Sequence, residues 1–183
     1  SSALGINNDG DAVGFFKVPP FYFHSIRWEN GEATPLNTPV NNNSWATSIN
    51  DRGSIAGYTD LFGPVSRAFL WNGGTIDDAV DIGSLNGATN TQAWDLNDRS
   101  EVVGGSGSAA FLWSSSQGME DLGSLGVGSS KAFAINDSAQ VVGKSDSRAF
   151  LWEDINNNQQ SDPNEMVDLN ELIPADSGWN LQE

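Results

Sequence analysis

The amino-acid sequence predicts an all-β fold, a β-propeller-like array of four-stranded antiparallel blades made from four repeats of roughly 43 residues. Three observations predict it. A set of landmarks returns four times in the same order. The most regular strand of the repeat is apolar on both faces. The segments between strands carry turn-forming Asn, Asp and Gly, and no helical stripe of useful length runs through the chain.

The landmarks begin with a triplet at Ile6-Asn7-Asn8, Ile49-Asn50-Asp51, Leu96-Asn97-Asp98 and Ile135-Asn136-Asp137, spaced by 43, 47 and 39 residues. A glycine follows each Ile or Leu eight residues later, at Gly14, Gly57, Gly104 and Gly143. A tryptophan closes the next strand at Trp28, Trp71, Trp113 and Trp152. The unit ends in an Asp-Ile/Leu-Gly-Ser-Leu element at residues 81–85 and 121–125, which weakens to Asp168-Leu169-Asn170-Glu171-Leu172 in the last copy and Pro35-Leu36-Asn37 in the first. The repeats run over about 1–43, 44–88, 89–129 and 130–183 and make one domain.

Each unit reads as two hairpins. In the second copy, Trp45 to Ile49 is a strand, Asn50-Asp51-Arg52-Gly53 a turn, and Ser54 to Tyr58 the return strand. Asn and Asp tolerate positive φ and bond their own backbone, which suits them to such turns. Arg67 to Trp71 is the third strand, Asn72-Gly73-Gly74 a turn, and Thr75 to Ile82 the fourth. The segment Gly178-Trp179-Asn180-Leu181 resembles the first strand of a further unit. The chain also opens inside a repeat, and the expectation is a mature or trimmed piece.

Successive strand residues point to opposite faces, so Phe69 and Trp71 share one face while Ala68 and Leu70 share the other. A sheet with one wet side alternates apolar with polar; this one wants neighbours on both sides. Propeller blades have that geometry, and an open β-solenoid is the structural alternative.

Composition sets the compartment and the partners. The chain has 20 Gly, 7 Trp and 9 Phe but only 8 Lys plus Arg, and its formal net charge is −16. Such a surface repels phosphate backbones and anionic lipid, which argues against nucleic acid and membrane partners and favours basic proteins or divalent cations. Cysteine is absent, which removes disulfides, thiolate metal sites and a cysteine nucleophile. No apolar run approaches the roughly 20 residues of a membrane-spanning helix.

In their order and residue types these landmarks resemble the HAF-repeat family of bacterial extracellular repeat proteins, named for a His-Ala-Phe triplet. The resemblance covers essentially the whole chain. The eponymous histidine survives only as His24, and the other copies carry Arg67, Ala109 and Arg148 in its place. The resemblance implies secretion or cell-surface display in bacteria and a propeller-like architecture.

The sharpest chemical motif is an insertion in the last repeat, between its third and fourth strands. Asp154, Asn156, Asn158, Gln160, Asp162 and Glu165 stand at the first, third, fifth, seventh, ninth and twelfth places of a twelve-residue loop. That is the oxygen-ligand spacing of an EF-hand-type Ca²⁺ loop, with the seventh residue contributing its backbone carbonyl and the last Glu binding through both oxygens. Gln159 replaces the usual turn glycine, and only three ligands are carboxylates. The expected ion is structural Ca²⁺, set against a plain polar hairpin tip. The repeated Asn-Asp turns need no metal, since turn chemistry accounts for them. The repeated tryptophans read as blade packing, which leaves the irregular aromatics as ligand candidates: Phe21, Tyr22 and Phe23 beside Phe15 and Phe16 in the first repeat, and Phe62 in the second.

No catalytic arrangement stands out. His24 lies beside Ser25 without triad-like spacing, and no phosphate-cradling Gly loop or zinc motif occurs. The expectation is a non-catalytic extracellular or cell-surface module for binding or adhesion, directed at a protein or carbohydrate. The alternatives are a structural subunit that polymerises through its repeat ends, as a homo-oligomer, into a surface layer or filament, and a polysaccharide-processing enzyme.

Overall fold

The computed structural model describes residues 1–19, 22–38, 42–61, 65–72, 79–156, 158, 161–162 and 164–174. It is all-β, with four separate four-stranded antiparallel sheets, each formed by strands consecutive in sequence. The first holds β1 (Ser2–Ile6), β2 (Ala12–Val18), β3 (Tyr22–Glu29) and β4 (Glu32–Pro35). The second holds β5 (Asn43–Ile49), β6 (Ile55–Leu61), β7 (Val65–Trp71) and β8 (Ala79–Asp81). The third holds β9 (Thr91–Leu96), β10 (Val102–Ser106), β11 (Ala109–Ser114) and β12 (Gly118–Asp121). The fourth holds β13 (Ser130–Ile135), β14 (Val141–Ser145), β15 (Arg148–Trp152) and β16 (Met166–Asp168). One repeat is one blade, and discrete antiparallel sheets of this kind make the propeller-like array rather than a solenoid. The further strand expected at Gly178–Leu181 lies outside the described residues.

Two-faced burial is what joins the blades. Ala68 and Leu70 pack with Ala93, Leu96 and Phe111 of the third sheet. Phe69 and Trp71, on the other side of the same strand, pack with Val13 and Leu36 of the first. Val103, Ala110 and Leu122 then meet Ala132, Val141, Phe150 and Trp152 of the fourth. Each core is therefore shared between neighbouring sheets, and the odd and even residues of one strand serve different cores.

At one end of the array the Asn-Asp turns tie the blades together with polar contacts. The Asn50 Oδ1 accepts the Ser54 N–H of its own turn at 2.8 Å, while its Nδ2 donates to the Asn97 carbonyl in the next blade at 2.9 Å. Asn7 donates likewise to the Asn50 carbonyl at 3.2 Å, and Asn97 to the Asn136 carbonyl at 3.1 Å. A second rail runs alongside it. The backbone N–H groups of Asn8, Asp51 and Asp98 donate to the carboxylates of Asp51, Asp98 and Asp137 at 2.8, 3.0 and 2.9 Å. The four turns surround a shallow depression of about 260 Å³. Their carboxylates are spent on backbone donors, in agreement with the turn reading of these residues.

The glycine eight residues after each triplet has a steric cause. The first strand of every sheet carries a bulge opposite the second, between Ala3/Gly5, Ala46/Ser48, Ala93/Asp95 and Ala132/Ala134. The bulge turns a carbonyl into the space a Cβ would occupy, that of Ser2 at Gly14, Trp45 at Gly57, Gln92 at Gly104 and Lys131 at Gly143.

The two ends of the array are uncovered. Ile6 is 71% exposed where its counterparts Ile49, Leu96 and Ile135 are 5%, 5% and 9% exposed. On the last sheet Val142 is 40% exposed, whereas Val13, Ala56 and Val103 at the same repeat position are fully buried.

The bulge predicts different outcomes for adjacent glycines. Gly104→Ala drives its Cβ onto the Gln92 carbonyl, whereas at Gly105 the nearest atom to an added Cβ is the Trp94 ring at an ordinary 3.4 Å. Chemical denaturation is expected to show Gly104→Ala destabilised by about 2–3 kcal/mol and Gly105→Ala by much less. Equal losses would refute the steric account.

Candidate functional site

Two regions combine several of the sequence candidates, and they lie at different places on the array. The first is the 154–165 loop. It leaves the sheet after Trp152 and returns at Met166, and the pair Glu153 N–H to Glu165 carbonyl at 3.0 Å closes its neck. The first half folds around the first-position carboxylate: the Asn158 N–H donates to Asp154 Oδ1 at 3.2 Å and to Asn156 Oδ1 at 2.9 Å. Asp162 Oδ2 accepts the side-chain amides of Asn156 at 2.9 Å and Asn158 at 2.6 Å. Glu165 Oε2 accepts the Asp162 N–H at 2.7 Å. Five of the six candidate ligands thus converge on one compact loop, and Gln160 lies outside the described residues.

Glu165 is the most informative member. It is only 2% exposed, and its Oε1 is buried with no hydrogen-bond partner. Leaving a carboxylate oxygen desolvated and unbonded is costly, and a cation is the natural group to satisfy it. The tryptophan that closes β15 holds the loop from below, since Trp152 Nε1 donates to Ser161 Oγ at 3.3 Å. Among the described residues, no three His, Cys, Asp or Glu side chains already stand together as a metal-binding group. The loop is instead closed by its own amides on Asp162, and turning those two amides over would present oxygens in place of nitrogens.

The structure adds a residue the sequence reading did not single out. Glu120, on β12 of the preceding blade, accepts the backbone N–H of Ser161 in the loop. Its Oε1 is also buried without a hydrogen-bond partner. Burial pushes its carboxyl up to about 7, opposed by the Ser161 N–H and reinforced by the charges of Asp154, Glu165 and Asp121. A cleft of about 570 Å³ opens between these two blades, lined by Glu101, Glu120, Glu153 and Asp154 together with Arg99 and Trp152. Arg99 is engaged with Glu101 at 2.8 Å and with the Asp137 carbonyl at 2.7 Å.

The second region is aromatic and lies away from the Asn-Asp turns, where β2 meets β3 and β5 begins. Phe15 and Phe23 of the first blade meet edge to face at 5.5 Å. Trp45 of the second blade stacks on Phe23 at 5.9 Å and on Tyr58 at 5.0 Å. Tyr22, the residue before Phe23 on β3, is 40% exposed and is turned by strand alternation to the opposite face, the one that carries Phe16 and His24. Burial raises the Tyr58 hydroxyl above its ordinary value, with the charge of Asp60 adding to it, and burial likewise raises Asp60. Of the four ligand candidates named from the sequence, Phe23 falls here, Tyr22 stands on the opposite face of β3, and Phe21 and Phe62 lie outside the described residues. Trp45 and Tyr58 were missed, because in sequence they sit on regular strands that read as core.

The remaining landmarks have structural roles. The Trp71 indole donates to the Asn37 carbonyl at 2.8 Å. The residues in the histidine position act as tethers, Arg67 to Asp81 at 2.8 Å and Arg148 to Asp168 at 3.3 Å. Among the described residues no helix is long and apolar enough to cross a membrane.

Comparison with protein-family models finds no match, and comparison with curated proteins finds none either.

The position of Glu120 generates a pH dependence. Its folded-state pKa of about 7 lies above the ordinary 4.5, so the folded protein resists an ionisation that the unfolded chain undergoes freely. The penalty is absent below 4.5, grows as pH rises and is complete above about 7. In chelator, Glu120→Gln is expected to melt increasingly above the wild type as pH rises through that window. A difference that does not change with pH would contradict the assignment.

Proposed function

We propose that this chain is a non-catalytic extracellular or cell-surface binding module, with the aromatic end of the first two blades as its binding face and Ca²⁺ as a structural ion in the 154–165 loop. The observation that carries the binding half is the contact of Phe15, Phe23, Trp45 and Tyr58 across two blades. Stacked rings held by strands from two sheets present rigid apolar area at little entropic cost, and Asp60 and the Tyr58 hydroxyl supply polar handles. That chemistry suits a carbohydrate ring or an apolar side chain of a partner protein. The net charge of −16 favours ligands that are neutral or basic. The landmarks of the HAF repeats support the extracellular, bacterial placement, and the absence of cysteine makes a metal ion the available staple for an exported chain.

A second reading, a subunit that assembles through its ends into a surface layer or filament, has its own support. The apolar face on the first sheet around Ile6 and that on the last around Val142 are the two halves of the interface that joins every internal pair of blades.

Screening the protein on glycan and extracellular-protein arrays tests the first reading. Phe23→Ala removes a ring of the cluster and is expected to weaken capture of the ligand by at least about tenfold. Capture indifferent to both Phe23→Ala and Trp45→Ala would remove the aromatic end as the binding face.

A further inference from the structure

Two departures from the repeat meet in space. The 154–165 insertion is one, since the other copies have a short turn at that place. Glu120 is the other. The pairing of β11 with β12 sets Glu120 opposite Leu112, as β7 and β8 set Val80 opposite Leu70 and β15 and β16 set Val167 opposite Leu151. An acid therefore replaces an apolar residue only in the copy whose next blade carries the insertion. Leu70 belongs to the face that packs on the following blade, so Glu120 occupies the face of the third blade that looks toward the fourth.

We propose that Glu120 is a ligand of the cation held by the 154–165 loop, making the ion a clamp between the third and fourth blades. This rests on the reading of that loop as a Ca²⁺ site. Three independent features carry it. Glu165 is 2% exposed and keeps one oxygen buried without a partner, and Glu120 keeps one as well. Neither makes an ion pair among the described residues. Glu120 already reaches the loop through the Ser161 N–H and lies within electrostatic range of both Asp154 and Glu165. Oxygen ligands from two sheets answer the chemistry of a hard divalent cation; the carboxylates of Glu120, Asp154, Asp162 and Glu165 do not stand together as a metal-binding group and would close on the ion, supplying the charge that Ca²⁺ affinity follows. The acidic cleft lined by Glu101, Glu120 and Glu153 provides the route by which an ion enters.

The clamp also explains why the repeat tolerates an acid there. Without metal, Glu120 is a half-buried carboxyl against like charges; with metal, the same group adds an ionic link to the Val103–Phe150 core and the turn ladder that already join the two blades.

The test is Ca²⁺ titration by calorimetry of the whole chain as wild type, Glu120→Gln and Glu165→Gln, with melting temperatures in Ca²⁺ and in chelator. The expected result is Ca²⁺ binding by the wild type, weakened at least about tenfold by Glu120→Gln and by Glu165→Gln. Glu120→Gln is further expected to melt no lower than wild type in chelator, yet to gain less on adding Ca²⁺. A merely structural Glu120 would not produce that opposition. Wild-type affinity in Glu120→Gln together with a loss in Glu165→Gln would overturn the cross-blade ligand and leave the loop site standing. No Ca²⁺ binding by the wild type would overturn the loop site, and the clamp with it.

Discussion

A four-stranded sheet that is apolar on both faces cannot stand alone, and the rest of this structure follows from that constraint. Phe69 and Trp71 leave water only if the first blade covers them, and Ala68 and Leu70 only if the third does. The hydrophobic effect is proportional to the area withdrawn and has no directional preference. It stacks the blades without deciding how one is turned on the next. Direction comes from the polar contacts at the turns. Each turn Asn uses its amide oxygen on its own hairpin and its amide nitrogen on the next blade, as Asn50 does with Ser54 and the Asn97 carbonyl. Aspartate has no donor to offer in that place, which explains why the triplet keeps Asn in the middle of all four copies while its third position accepts Asn8, Asp51, Asp98 and Asp137. Burial supplies the drive, and the ladder sets the register.

The same logic explains the ends. Three internal junctions satisfy both faces of the second and third blades, but the first and last blades each retain one face with no partner among the described residues, visible at Ile6 and Val142. Asn136, the last rung, turns its amide onto Gln140 at 2.8 Å rather than onto a further blade. The two candidate sites lie where the repeat is least regular. The aromatic face is built on the first copy, where Ser25-Ile26-Arg27-Trp28 stands for Ala-Phe-Leu-Trp, and the acidic cleft borders the last, which carries the long loop.

Much of this was legible in the sequence. The triplets, the glycines and the paired hairpins locate all four blades, because period-two burial and turn chemistry are local properties. The two-faced strand at Ala68–Trp71 was enough to require stacked neighbours. The bulges were not legible, since the only trace of one is the glycine on the facing strand, and Gly57 or Gly143 alone does not distinguish a bulge from a turn. The second role of the turn Asn residues was also hidden, because a contact between Asn50 and Asn97 leaves no mark in either segment. Glu120 lies in an ordinary Gly-Met-Glu-Asp strand 34 residues before Asp154. Its signal existed only in the comparison with Val80 and Val167, and it became readable once strand pairing had aligned the copies. The aromatic cluster was partly visible: Phe23 stands out beside a loop, whereas Trp45 and Tyr58 are disguised by their strands.

The central claim is that burial between sheets, rather than strand pairing within them, holds the array together, so that a blade covered on both faces opens less readily than one covered on a single face. Amide hydrogen exchange of the dilute monomer, resolved by segment, measures this directly. The account predicts the slowest exchange in β6, β7, β10 and β11, and faster exchange in β2, β3, β14 and β15, although all eight are hydrogen-bonded on both sides. Equal protection in the four blades would contradict it and would place the stability within each sheet instead.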